Sequence, residues 1–391
     1  MFSKRRIASL IIFLVILLAI GFFMLFPAYL DKQTNAIHSS TLPEVTAQAS
    51  ALHKRLLIGD WHSDTLLWKR DLAEQHDYGH MDIPRLQQGN VALQMFTTVT
   101  KSPSGINYEA NSADASDNIT KLALASLWPT DTWTSLTQRA LYQASKAHEL
   151  AKQYPQQVSL ITSKAELSRF LTQRESNNQL LGMLLGTEGS HALDGELDNI
   201  QTLFDYGFRM MSLQHFFDNK LGGSLHGESG AGLTRFGREA VTQMQALDIM
   251  VDVSHSSEQV VKDVLAITTK PLLVSHTGFY GHCQGARNIS DQLMQKIAAT
   301  GGLIAVGYWD GAVCEPNVRE IAKAIKYGVG LVGVNHVALG SDYDGATSVP
   351  FDTADLVYLT QALLDLGLTE NQITQVMGEN MLRFLQQNLP K

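Results

Sequence analysis

Eight short, nearly continuous apolar runs punctuate the chain: Leu56–Trp61, Val91–Val99, Leu180–Thr187, Phe208–Gln214, Ile249–Ser254, Pro271–Ser275, Gly302–Tyr308 and His336–Ser341. Runs of this length without polar alternation are typical of strands buried on both faces. Amphipathic stretches of helical period lie between most of them, such as Phe236–Leu247, Ser257–Ile267, Ser290–Thr300 (with Ser290 as N-cap) and Val318–Tyr327. Strand–helix alternation predicts parallel βα units. Eight of them over about 300 residues predict an α/β fold, a (β/α)8 barrel of the TIM type. A doubly wound open sheet is the alternative. Two C-terminal helical patterns, Thr353–Leu366 and Asn371–Gln387, are expected to pack outside the barrel.

In such a barrel, chemistry sits at the C-terminal ends of the strands. The first run leads into Asp60, His62 and Asp64, and period two puts His62 and Asp64 on one face. The third ends in Glu188, the fourth in His215, the fifth in His255, the sixth in His276, and the eighth in Asp342 and Asp344. One histidine there is unremarkable, but six strand ends bearing metal-ligand residues are hard to explain by packing. Imidazole and carboxylate without cysteine point to zinc, manganese or a similar ion in a catalytic site. His62, Asp64, Glu188, His255 and His276 would serve two metals sharing one carboxylate, with positions left for water. Such a pair generates a bridging hydroxide at neutral pH, so the expected reaction is hydrolysis at a carbonyl or phosphoryl centre.

Lys4, Arg5 and Arg6 precede an uncharged apolar run of 20 residues, Ile7–Phe26. It is long enough to cross a bilayer as a helix and longer than an ordinary signal-peptide core. The basic flank places the remainder of the chain on the non-cytoplasmic side. A retained signal anchor is the preferred reading and a cleaved signal peptide the alternative. The expected organisation is a basic tip and transmembrane anchor over 1–30, a polar linker over 31–50, and a metal-dependent barrel hydrolase over 51–391. The net charge of −8 gives no electrostatic case for nucleic acid. Cys283 and Cys314 fit no metal-ligand spacing, and spacing alone does not decide whether they are bridged. Residues 100–118 are polar and loop-like. The glycine-rich 219–235 forms neither GxGxxG nor a phosphate loop. It reads equally as a flexible active-site loop or a plain connection.

GDWHSD, HMDIPRLQQGNVALQMF, TEGSH, MSLQHFFDN, GLTRFGREAVTQMQALDIMVDVSHSS, LLVSHTG, GARNISDQ, LGSDYDG and MGENMLRFL occur in this order over residues 56–385. In this the chain resembles the membrane dipeptidase (renal dipeptidase) family of metallopeptidases, in a bacterial form. The resemblance implies a TIM-like barrel with two zinc ions that hydrolyses dipeptides carrying a free C-terminal carboxylate. It implies that His62 and Asp64 bind one metal, that Glu188 bridges both, and that His255 and His276 bind the second. His215 would stabilise the oxyanion, Arg287 would clamp the substrate carboxylate, and Asp342 would carry the proton from water to the leaving amine. A dipeptide substrate and a second copy of the chain in a homodimer are the partners it implies, beside the bilayer that the apolar N-terminal run would enter. Arginine's planar fork suits bidentate carboxylate binding. Period two alone does not separate Asp342 from Asp344, which is read as capping a turn before Gly345.

The chain departs from the family where Trp61 and Ser63 replace a glycine and an asparagine, so Trp61 is expected to narrow the pocket floor. It also lacks the tryptophan usual after His215, which leaves side-chain preference open. His80, His191, His226 and His282 read as structural or rim residues, with His191 near enough to Glu188 to support it. The alternatives to a dipeptidase are a related barrel hydrolase acting on a non-peptide amide, lactam or lactone, and a catalytically inactive membrane-anchored binding protein.

Overall fold

All eight expected strands form, and they close into a ring. In the computed structural model, which describes residues 4–391, they are β1 Ile58–Asp60, β2 Val91–Val99, β3 Leu181–Glu188, β4 Phe208–Ser212, β5 Met250–Asp252, β6 Leu273–Thr277, β7 Leu303–Val306 and β8 Val337–Leu339. Each pairs in parallel with the next, and β8 returns to β1 through Leu339 opposite Asp60. An open doubly wound sheet would leave two edge strands, so closure excludes that alternative. A short extra strand, Val158–Leu160, pairs with β3 outside the ring.

The crossover helices form as their patterns predict, at Arg235–Ala246, Glu258–Ile267, Asp291–Ala299 and Val318–Val332. Ser257 caps the second by accepting from the Val260 amide. Ser290 occupies the N-cap position of the third without a capping hydrogen bond from its side chain.

The C-terminal segment departs from expectation. Helix Val357–Asp365 packs outside, against Val318–Val332. Helix Asn380–Asn388 instead plugs the barrel's N-terminal end, where Met381, Phe384 and Leu385 join interior residues such as Leu93, Met95, Leu184 and Met210. A β-carbon at Gly378 would lie 1.6 Å from the Leu57 carbonyl oxygen, so only glycine lets this segment approach β1 so closely. Trp61 is fully buried and meets the plug edge-on, its ring centroid 5.6 Å from that of Phe384. Its bulk is thus accommodated in the interior layer.

The apolar N-terminal run lies in one long helix, Lys4–Thr34, with Ile7–Thr34 long and apolar enough to cross a membrane. The first three residues of the expected basic tip lie outside the described residues. The helix runs into the barrel domain: Ala36–Ile37 pairs in parallel with Ser348–Val349, in the loop after β8. Cys283 and Cys314 form a disulfide. The 219–235 loop folds over the strand ends, with the Leu225 amide donating to the His255 carbonyl and Ser257 Oγ donating to the Ala231 carbonyl.

Candidate active site

Parallel closure carries every strand end to one rim, and the eight candidate residues from six strands and one loop converge there. The Glu188 carboxylate, at the end of β3, is the hub. Its Oε1 lies 3.5 Å from His62 Nε2 and 3.2 Å from Nε2 of both His255 and His276. Its Oε2 lies 3.5 Å from His215 Nε2. Asp64 and Asp342 approach His62 Nε2 at 3.7 and 4.0 Å. Three overlapping groups could each hold a metal ion: His62, Asp64 and Glu188; His62, His276 and Asp342; Glu188, His215 and His255. His255 and Asp342 both turn away from their strands with positive φ, 61° and 59°, a conformation that non-glycine residues hold mainly where the surroundings impose it.

A buried relay sets which ring nitrogens face the cluster. Ser275 Oγ donates to Asp252 Oδ2 at 2.6 Å and lies 3.0 Å from Nδ1 of both His62 and His276. With its proton committed to Asp252, the hydroxyl offers lone pairs, so both Nδ1 atoms carry hydrogen and Nε2 is the nitrogen of each ring that can take a metal. His62 Nε2 is buried and has no hydrogen-bond partner. His255 Nε2 lies 2.9 Å from His276 Nε2. Converging imidazole nitrogens, one of them an orphan, fit a divalent cation. Asp64 is oriented by a 2.7 Å bond from Thr97 Oγ1.

The charges tell the same story. Burial alone would raise the Glu188 carboxyl, but His215 and His62 beside it hold it well below the usual range. Burial and the neighbouring Glu188 push Asp64 well up, and burial, against His62, pushes Asp342 up to about 8. Burial would lower His62, yet Glu188, Asp64 and Asp342 drive it up to about 10, so its Nε2 holds a proton that a cation bound there would displace. Three crowded carboxylates therefore call for added positive charge, which a metal supplies without a proton.

Arg287 lies at the edge of the cluster, almost fully buried at 1% exposure. It donates to the His276 carbonyl at 2.9 Å and stacks over Trp309, 5.2 Å from the ring centroid, while its Nε has no partner. Among the described residues it makes no ion pair with a carboxylate. The disulfide ties its loop to the one carrying Trp309, and Asn288 bridges the same two segments through the Cys283 and Ala312 carbonyls.

Asp344 separates clearly from Asp342. It faces the opposite way, pairing with Arg70 at 2.6 Å, accepting from the His80 amide at 2.7 Å and taking the Thr65 hydroxyl. It is thus a buried ion-pair anchor and more than a turn cap. His80 belongs to the same lock, its Nδ1 accepting from the Asp344 amide. His226 is closer to the site than a rim residue, with its ring centroid 5.2 Å from that of His255 and stacked on Phe216. His191 is buried beside Phe217, and burial holds it down to about 3. His282 is half-buried near Tyr327.

Sequence reasoning passed over Asp252, Ser275, Thr97 and Trp309. A signal for the relay was present: Val253-Ser254-His255 and Val274-Ser275-His276 repeat one tripeptide at consecutive strand ends.

A barrel rim bearing buried histidines and carboxylates around a potential metal centre defines a metal-dependent hydrolase. Comparison narrows the class: the chain belongs to the membrane dipeptidase family, peptidase family M19, whose profile matches residues 46–389. A dipeptidase of Aspergillus oryzae, aclJ, is 25% identical over 386 residues, covering 92% of this chain and 82% of its own. Among solved structures, the probable dipeptidase PvdM of Pseudomonas aeruginosa superposes with a TM-score of 0.69 at 18% identity, over 87% of this chain and 97% of that one. A metallopeptidase of Rhodobacter sphaeroides, liganded with a phosphinate mimic of the dipeptide L-Ala-D-Ala, gives 0.66 at 21% identity, over 85% and 99%. These structures share the fold. The protein is therefore a metallo-dipeptidase.

Proposed function

We propose that the chain is a dinuclear zinc dipeptidase, anchored by its N-terminal helix, that cleaves dipeptides with a free C-terminal carboxylate outside the cytoplasm. The observation that carries this reading is Arg287, a buried guanidinium beside the His–carboxylate cluster without a carboxylate partner among the described residues. A buried cation of this kind is stabilised by an incoming anion, and a peptide's terminal carboxylate matches its fork.

In this reading His62 and Asp64 would hold one ion, His255 and His276 the other, and Glu188 would serve both. Two such ions would supply polarisation of the scissile carbonyl and a lowered pKa for water. Arg287 fixes the substrate's carboxylate end, which sets the peptide bond over Glu188. His215, 3.5 Å from Glu188 on the open side, donates to the developing oxyanion. Asp342, 4.0 Å from His62 Nε2 at the rim of the cluster, would take a proton from the attacking water and return it to the leaving amine. Lys4 and Arg5 before the apolar span support a non-cytoplasmic catalytic domain, and the Cys283–Cys314 disulfide suits an oxidising compartment.

Amidation tests this reading. A dipeptide should be hydrolysed and its C-terminal amide left intact; equal turnover of both would overturn the role of Arg287.

A further inference from the structure

The membrane helix does more than tether. Its last turns form a wall of the cavity that leads to the metal centre. Phe26, Leu30 and Thr34 line a cavity of about 510 Å³ together with Asp64, Glu188 and His215, and its other walls include Trp68, Val99 and Ile106. The cavity reaches the cluster at Asp64, Glu188 and His215, and Arg287, His255 and His276 do not line it.

The helix end is held rigidly in place. Asp31 pairs with Arg70 at 2.7 Å, both side chains being 1% exposed. Asn35 donates to Asp31 at 2.8 Å and accepts from the Ala346 amide at 2.9 Å. Arg70 also grips Asp344, and the Ala36–Ile37 strand pair continues the seam along the loop that carries Asp342. Leu30 packs with Leu67, Trp68, Val99, Ile119 and Leu122. A span of 20 residues from Ile7 covers roughly the 30 Å of a hydrocarbon core, so Phe26 lies at its outer boundary and the cavity opens beside the lipid surface.

We infer that Phe26 and Leu30 are specificity-determining residues, and that this cavity receives a large apolar side chain on the N-terminal residue of the substrate. The inference rests on the dipeptidase reading: with the carboxylate at Arg287, the N-terminal residue lies over Glu188 and its side chain points into the cavity. Anchoring and selectivity are then one device, because removal of the helix removes a wall of the cleft.

The test uses the full chain in detergent, comparing Leu-Gly with Gly-Gly for kcat/KM and titrating the corresponding non-hydrolysable phosphinates for Kd. Leu30→Ala should lower the preference for the leucyl compound about tenfold in both measurements, the scale of a few lost methylene contacts. Leu30→Trp, which fills the cavity instead of emptying it, should also erase the leucyl-over-glycyl preference in both measurements. Leu18→Ala, on the same helix but 73% exposed, should behave as wild type. An unchanged leucyl-to-glycyl ratio in both Leu30 variants would overturn the inference and leave the dipeptidase reading intact. Failure of the wild type to cleave any dipeptide would overturn both.

Discussion

The buried carboxylate of Asp252 accepts a 2.6 Å hydrogen bond from the Ser275 hydroxyl, and this single bond orients two imidazoles at once. Because Ser275 Oγ is left with lone pairs only, His62 and His276 must both donate from Nδ1, which leaves Nε2 as the nitrogen that can take a metal. Ser275→Ala should therefore weaken metal binding about 10- to 100-fold without removing any ligand. Competition with a chelator, read on the apoprotein, gives the affinity directly. Wild-type affinity in this variant would show that the tautomers are set elsewhere.

Asp342 and Asp344 stand two residues apart and should respond to substitution in opposite ways. Asp342→Asn should keep its metal and its melting temperature while kcat falls by about two to four decades. Asp344→Asn breaks a buried pair with Arg70 and should destabilise the fold by roughly 3–5 kcal/mol. Thermal melts beside steady-state kinetics separate the two. Near-full activity in Asp342→Asn would show that the proton passes through another group.

Arg287→Ala should raise KM for dipeptides by about 10- to 100-fold, the scale of one or two hydrogen bonds to a charged group. Metal content should stay at the wild-type level, since Arg287 supplies no ligand. Loss of metal in this variant would mean that the guanidinium supports the cluster itself.

Stability should fall in mild acid for a reason visible at His53. Its ring is buried, with Nε2 donating to the Gly89 carbonyl at 3.2 Å and Nδ1 accepting from Thr360 at 2.8 Å. Burial holds it down to about 4, while the unfolded chain titrates at the ordinary 6.5. Between those values the unfolded state binds a proton that the folded state refuses. Stability is full above pH 6.5 and declines by about 1.4 kcal/mol per pH unit as pH falls towards 4, on the order of 3 kcal/mol in all. His53→Gln preserves a donor and an acceptor without the charge. Its melting temperature should fall less steeply between pH 6.5 and 4.5 than that of the wild type, and parallel curves would refute the assignment.

The barrel was legible because a strand buried on both faces leaves a local mark, an unbroken apolar run, and six of the eight runs lead into a candidate metal-binding side chain. Glu188, His255 and His276 could be read straight off those ends. The C-terminal plug was not, since Asn380–Asn388 has an ordinary amphipathic pattern that names a buried face without naming what covers it. Trp61 shows the same limit: its size was evident, but its contact with Phe384 joins segments more than 300 residues apart. Asp31 and Arg70 look like unrelated surface charges in sequence, and only the fold shows them closed on each other. Long-range pairings carry no period.

The central claim is that Glu188 joins two divalent ions held by His62, Asp64, His255 and His276. Elemental analysis of the purified full chain and of Glu188→Ala tests it most directly. The expected result is two equivalents of zinc or manganese per wild-type chain, well under one in Glu188→Ala, and dipeptide hydrolysis that is lost on chelation and restored by the metal. A wild-type chain that binds less than one equivalent and hydrolyses dipeptides undiminished in the presence of chelator would contradict it.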